Sequence, residues 1–492
     1  MNQYLETLEP TLIWKHFRTL CDTPRPSFHE AQLRELLIEW SHARGLATYV
    51  DPCGNLVIRK PASLGMENKE TVVLQGHLDM VAQKNAGVEH DFVTDPIATH
   101  IVDGWVTAKD TTLGADNGIG VAAALAVLEA DDLKHGPIEA LFTIEEETSL
   151  RGALELEKGI LEGRLLLNLD SEDRGDVYIG CAGGVDINIK REFDVEAVST
   201  DSASFTLSIS GLKGGHSGLD IHKGRASANV LLARLLVKLA DEKLIRVSAF
   251  NGGTLRNAIA REAFAKVCVN ASDIDRVKAL VDDIEQQMQL EFGAIESKLS
   301  LTMSVSEPNL YCLKEADQSL LLNALISAPH GVNRMSAELT GVTETSCNFG
   351  VISLVAESTG LIFESCLLVR SLINTAVFDL ARVAKAVFEQ IGASVDLEND
   401  YPGWRPDPNA GLLAHFLQVH KDVMGYEANV KVIHAGLECG IIGAKYPGME
   451  MVSFGPNIRG AHSPDERLEI DSVGDFWRLL VKVLEEVPNK IA

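Results

Sequence analysis

The chain has 492 residues, 46% of them hydrophobic and 23% charged, with a formal net charge of −26. That length suits two or three domains with a large core, and the negative field argues against nucleic acid and anionic membranes as partners. The eight cysteines form no CxxC pair. This speaks against a thiolate zinc site and a thioredoxin-type motif, and leaves reduced thiols in a reducing compartment as the expectation. The opening MNQYLETLEPTLIWKHF carries Glu6 and Glu9 where a signal peptide would be basic and then apolar. No stretch approaches the roughly 18 apolar residues of a membrane span. The sequence reads as cytoplasmic.

In chain order, EAQLRELLIEWSHARG has helical periodicity, and TVVLQG reads as a strand. GIGVAAALAVLEA reads as an apolar helix, followed by strands at IEALFTI, LLLNLD and DVYIGCAGG. Strands alternating with helices predict an α/β sheet covered on both faces. Beyond Gly184, VDINIKREF and SASFTLSISG alternate apolar and polar residues, as antiparallel strands with one solvated face do. Two amphipathic stripes follow: Ile274, Val277, Leu280, Val281, Ile284 and Met288, then Leu380, Val383, Ala384, Val387, Phe388 and Ile391. After NDYPGWRPDPNAG the α/β texture returns. The predicted organisation is a catalytic α/β domain over 1–185 and 397–492, interrupted by an α+β domain of two similar strand–helix lobes over 186–396.

The residues that carry chemistry sit at the ends of apolar strands. His77 and Asp79 close TVVLQGHLD, Asp116 lies in LGADNGIG before the apolar helix, and Glu146 and Glu147 end LFTIEEE. Asp170 ends LLLNLD, and His462 follows the strand MVSFG. Taken singly, each has an ordinary reading: a helix cap for Asp116, a solvated face for the glutamates, a packed or loop residue for either histidine. Together they place ligand-type groups at five strand ends, where open α/β sheets bind their ligands. Imidazoles and carboxylates without thiolate suit zinc, manganese or cobalt, and the number of groups suits a pair of ions sharing a bridging carboxylate.

The runs GHLDMV, LGADNGIG, TIEEETSLRGA, LLNLDSED, GLKGGHSGLDIHKGRASAN, NGGTLRNAIARE, CLLVRS and GPNIRGAHSPDERLEI occur in order along nearly the whole chain. They resemble the aminoacyl-histidine dipeptidase family of co-catalytic zinc metallopeptidases. The resemblance implies a zinc-peptidase domain with a mixed central sheet flanked by helices, an inserted lid, and two divalent metal ions, zinc with cobalt or manganese as alternatives. One ion would be held by His77, Asp116 and Asp170, the other by Asp116, Glu147 and His462. It further implies that Asp79 orients the His77 ring, that Glu146 is the general base, and that the Asp116–Asn117 peptide is cis. His216 in GGHSG would stabilise an oxyanion, Arg370 would grip a substrate carboxylate, and Asn257 and Glu438 would contact substrate, with His434 nearby. Three consecutive glutamates leave the register open by one position. Gly152-Ala153 anchors the alignment with Glu146 as base; the alternative makes Glu145 the base and Glu146 the ligand. The implied substrates are dipeptides, notably Xaa-His such as β-alanyl-histidine. An N-acyl amino acid deacylase and an aminopeptidase or tripeptidase are the alternatives. Shorter lids of this class dimerise, so the chain is either a homodimer or carries the partner's lobe within itself.

Overall fold

The computed structural model describes residues 2–357 and 360–490. It divides into two compact units: residues 1–181, 404–432 and 437–492 in the first, residues 182–403 and 433–436 in the second.

The first unit is built on an eight-stranded sheet in the order Ala47–Val50, Leu56–Lys60, Ile138–Thr143, Val72–His77, Leu165–Asn168, Glu450–Ser453, Asp176–Cys181, Asn429–Ile433. Ile138–Thr143, Val72–His77, Leu165–Asn168 and Glu450–Ser453 run parallel, with antiparallel strands outside them. Every residue of Val72–His77 and Ile138–Thr143 is buried, as expected of parallel strands covered on both faces. The helix Ala115–Glu129 is apolar around its whole circumference and buried on nearly every side. It packs on the Val72–His77 strand and against the helix Thr11–Asp22, which leaves it no solvated face. The hairpin Thr99–Val102 with Trp105–Ala108, which belongs to a separate four-stranded sheet, has no clear period in the sequence.

The second unit is an antiparallel sheet with helices. Ser300–Val305, Ser202–Ser210, Ala263–Asn270 and Arg246–Gly252 form one half. Thr343–Ala356, Leu361–Ser371, Gly183–Phe193 and Ser394–Tyr401 form the other, and Gly331–Met335 also pairs with Thr343–Ala356. The helices Ala228–Asp241 and Ile274–Phe292 pack on the first half, and Asn374–Glu389 on the second. The two strand–helix lobes are therefore joined edge to edge into one sheet, through the pairs Phe250↔Leu354, Asn251↔Ser353 and Gly252↔Ile352. The first predicted stripe holds: Val277, Val281, Ile284 and Met288 are buried. In the second, Val377, Leu380, Ala381, Ala384 and Phe388 form the buried face. Val383 is instead 53% exposed, because at 100° per residue it falls off the stripe. Residues 397–403 and 433–436 belong with this unit, although the texture of the sequence groups them with the α/β part. Among the described residues no helix is long and apolar enough to cross a membrane.

Candidate metal centre and active site

Parallel strands bring their carboxyl ends to one edge of the sheet. His77 is the last residue of its strand and pairs with Thr143, just before the 145–147 glutamates. Asn168, two residues before Asp170, pairs with Gln75, two residues before His77. Asp116 arrives from the loop that precedes the buried helix. A Cβ on Gly76 would stand 2.2 Å from Asn117 Oδ1, so only glycine lets this loop lie against the His77 strand. The Asp116–Asn117 peptide is cis. The N-cap position of the helix is Gly114, not Asp116. Asp116 Oδ1 lies 3.1 Å from His77 Nε2 and its Oδ2 3.2 Å from His462 Nε2. One carboxylate thus faces two imidazoles with separate oxygens.

Around His77, Asp170 Oδ1 stands 3.5 Å and Glu146 Oε2 4.0 Å from Nε2. Around His462, Glu147 Oε2 is 2.9 Å away. His77, Asp116 and Asp170 form one group whose ligand atoms lie within 4.8 Å of one another, and Asp116, Glu147 and His462 form another. A third such group is His77, Glu146 and Glu147. Glu145 is turned elsewhere, with its carboxylate held by Arg151 and by the Ser149 hydroxyl at 2.9 Å. Asp79 stands behind His77, with Oδ1 3.4 Å from Nδ1. It also accepts the backbone N–H of Glu146 at 3.0 Å and of Glu147 at 3.2 Å, and the Ser27 hydroxyl at 2.8 Å.

Three supports escape the sequence reading. Glu466 accepts four consecutive backbone N–H groups, from Leu113 to Asp116, at 2.7 to 3.2 Å. Arg25, fully buried, donates to the carbonyls of Leu78 at 2.9 Å, Asp79 at 2.8 Å and Gly114, tying the His77 loop to the Asp116 loop. Glu438, read from the sequence as a substrate contact, accepts from Gln75 Nε2 at 2.6 Å and Thr143 Oγ1 at 2.7 Å. It thereby anchors a ladder that continues from Gln75 through Asn168 and Ser453 to Ser171. These partners lie far apart in the chain, so no local spacing announces them.

The electrostatics of the cluster follow from burying many acids with few cations. Burial raises the pKa of Asp170 to about 8 and of Glu438 to about 7, and pushes Glu146 well above the ordinary carboxylate range. Hydrogen bonds that its ring donates to Asp116 and Glu147 raise His462 to about 11. Burial opposes protonation of His77, but Asp170, Asp116 and Asp79 together outweigh it and raise its pKa well above normal. Glu147 Oε1 and Glu438 Oε1 are buried without a hydrogen-bond partner among the described residues. An excess of buried, partly unpaired oxygen ligands with two imidazoles and no thiolate fits divalent cations of the zinc, manganese or cobalt type.

The remaining residues singled out from the sequence lie in the second unit. His216 belongs to a two-residue strand and pairs with Ala258. Its Nδ1 accepts the N–H groups of Gly218 and Leu219, both at 3.1 Å, which leaves the ring hydrogen on Nε2. Burial, then the charge of Arg370, lower its pKa to about 4. Asn257 is exposed, and its carbonyl accepts the Ser217 N–H at 2.8 Å, fixing the turn that carries His216. Arg370 is buried. Among the described residues its guanidinium partners are two hydroxyls, Tyr401 at 2.6 Å and Ser217 at 3.4 Å, and no carboxylate. His434 Nε2 bonds the Ser346 hydroxyl at 2.8 Å, and burial drops its pKa to about 3.

The model of peptidase family M20/M25/M40 matches residues 73–486. The chain belongs to this family. Over 486 residues, 99% of each sequence, it is 43% identical to the cytosol non-specific dipeptidase of Escherichia coli K12. The crystal structure of aminoacylhistidine dipeptidase from Vibrio alginolyticus superposes with a TM-score of 0.92 at 44% identity, covering 99% of both chains. Aminopeptidase PepT from Bacillus cereus shares the fold, with a TM-score of 0.62 at 16% identity over 98% of this chain and 99% of its own. As a member of the M20/M25/M40 family the chain is a peptide hydrolase, and this is a family of metal-dependent enzymes.

Proposed function

We propose that this peptidase cleaves dipeptides in the cytoplasm, with Xaa-His dipeptides such as β-alanyl-histidine among its substrates, using two divalent metal ions, zinc by preference. The observation that carries the reading is Asp116, whose two oxygens face two imidazoles, each with a further carboxylate beside it. His77, Asp116 and Asp170 would hold one ion, and Asp116, Glu147 and His462 the other. A bound pair of this kind supplies Lewis acidity, polarising a carbonyl and making a water acidic near neutral pH.

The protein's own groups do the rest. Glu146 faces the cluster without ligating in either group, and its raised pKa suits a carboxylate that takes a proton from the attacking water and returns it to the leaving amine. Asp79 holds the His77 ring and, through two N–H bonds, the backbone that presents Glu146 and Glu147. The second unit supplies further groups. His216, neutral and with hydrogen on Nε2, donates to the oxygen of the tetrahedral intermediate. Arg370, a buried guanidinium with no carboxylate at hydrogen-bond distance among the described residues, grips the substrate's C-terminal carboxylate. Asn257 fixes the His216 turn. Glu438 gives one oxygen to Gln75 and Thr143 and keeps the other, which has no hydrogen-bond partner among the described residues, for a substrate contact.

Initial rates on β-alanyl-histidine, a set of α-dipeptides, tripeptides and N-acetyl amino acids test the reading. Dipeptides with a free carboxylate should turn over fastest. Faster hydrolysis of N-acetyl amino acids would instead establish a deacylase, and faster hydrolysis of tripeptides a tripeptidase.

A further inference from the structure

Arg370 does not stand alone on its sheet. The register sets Ser346, Arg370, Gly184 and Tyr401 in a row across four strands: Ser346↔Arg370, Arg370↔Gly184 and Gly184↔Tyr401. The row skips a side chain at Gly184, and there the Tyr401 ring lies. A Cβ on Gly184 would be 2.9 Å from Tyr401 Oη and 3.1 Å from its Cζ, and a Cβ on Gly436 would be 3.0 Å from Cε2. The ring thus occupies a slot between two glycines and brings its oxygen to 2.6 Å from Arg370 Nη1, which donates to it.

A backbone irregularity aims that ring. Glu398 pairs with Asp186, but Gly184 pairs with Tyr401 rather than with residue 400, so the edge strand carries one extra residue. Asn399 lies in this bulge with φ +53°, and its Nδ2 donates to Asp186 Oδ2 at 2.9 Å. Asp186 also takes Arg256 at 3.0 Å. A bulge at an edge redirects the side chain that follows it. Here the Asn399 amide and Arg256 bind the Asp186 carboxylate, whose charge also feels Arg370, while the Tyr401 hydroxyl is turned onto Arg370.

We infer that Tyr401, seated between Gly184 and Gly436 and aimed by the Asn399 bulge, is a positioning residue that sets the Arg370 guanidinium for a substrate carboxylate and so governs the preference for a free C-terminus. The inference rests on the reading of Arg370 as the carboxylate grip. A hydroxyl holds one Nη1 hydrogen without neutralising the guanidinium, and the other Nη1 hydrogen and the Nη2 hydrogens remain as donors. A carboxylate in the place of the phenol would compete with the substrate.

The test is steady-state kinetics of the metal-loaded enzyme on β-alanyl-histidine and its C-terminal amide, for the parent, Tyr401→Phe, Arg370→Lys and the double variant. Tyr401→Phe keeps the ring in its slot. It should raise KM for the free acid roughly tenfold, the loss of one hydrogen bond to a charged group, leave kcat within about twofold, and shrink the acid-over-amide preference. The double variant should be no worse than Arg370→Lys alone, an equality that a merely structural tyrosine would not produce. If Arg370→Lys erodes the preference and Tyr401→Phe leaves KM unchanged, the inference is overturned and the Arg370 reading stands. If Arg370→Lys itself leaves the preference intact, the Arg370 reading falls and takes the inference with it.

Discussion

Glu466 holds the backbone of Asp116: its Oε1 accepts the Asp116 N–H at 3.2 Å and the Ala115 N–H at 2.8 Å, while Oε2 takes Gly114 at 2.9 Å and Leu113 at 2.7 Å. The carboxylate that faces both imidazoles is therefore positioned by a second carboxylate 350 residues further along the chain. Glu466→Gln keeps the shape but sets an amide NH2 against backbone donors. It should cost about 2–3 kcal/mol of stability and weaken metal retention. Urea unfolding of the chelated protein and metal content after gel filtration check both; unchanged retention would show that the loop holds Asp116 without Glu466.

The neighbouring glutamates separate by what each faces. Glu146 points into the cluster, whereas Glu145 is bound by Arg151 and Ser149. Glu146→Ala should keep its metal and lose about a hundredfold to ten-thousandfold in kcat. Glu145→Gln should stay within a few-fold of parent turnover, its effect confined to a modest drop in melting temperature. A collapse of kcat in Glu145→Gln together with near-parent turnover in Glu146→Ala would shift the register by one residue.

The sequence makes the cluster legible because its members are chemically distinctive and, Asp116 before its apolar helix apart, follow apolar strands. Parallel pairing then does the gathering: once Val72–His77, Ile138–Thr143 and Leu165–Asn168 are neighbours, His77, the glutamates and Asp170 share an edge. What stays illegible is whatever depends on distant packing. Arg25 and Glu466 look like ordinary charges, and nothing local says that one spans two loops and the other caps four N–H groups. Glu438 looks available to a substrate amine, and nothing local says that Gln75 and Thr143 also bind one of its oxygens. The two lobes of the middle region are legible as strands and helices, but their fusion into one sheet rests on three residue pairs around Asn251 and Ser353, which carry no pattern of their own.

Because Asp116 belongs to both ligand groups, removing it and removing His462 should differ. Metal analysis of the parent should give two ions per chain, His462→Asn about one, and Asp116→Asn fewer than one. Dialysis against a chelator should abolish dipeptide turnover and lower the melting temperature, since an ion held at a thousand times its Kd contributes about 4 kcal/mol to the folded state. Readdition of zinc, manganese or cobalt should restore turnover. Equal metal loss in the two variants would contradict the shared-ligand geometry.

His330 gives the second unit an acid-sensitive point. It lies between the helix Glu315–Ser327 and the strand Gly331–Met335, and its Nδ1 accepts the Phe349 N–H at 3.1 Å. Burial lowers its pKa from 6.5 to about 4, so the folded state holds the neutral ring while the unfolded chain takes up a proton. The stabilisation is complete above pH 6.5 and is lost as pH falls toward 4, by up to about 1.4 kcal/mol per pH unit and about 3 kcal/mol in all. His330→Asn retains an acceptor for Phe349 but cannot titrate. In urea unfolding of the chelated proteins, the variant should be less stable than or equal to the parent at pH 7.5, and the gap should move in the variant's favour by up to that amount at pH 4.5. A gap that does not change with pH would show that His330 titrates normally in the fold.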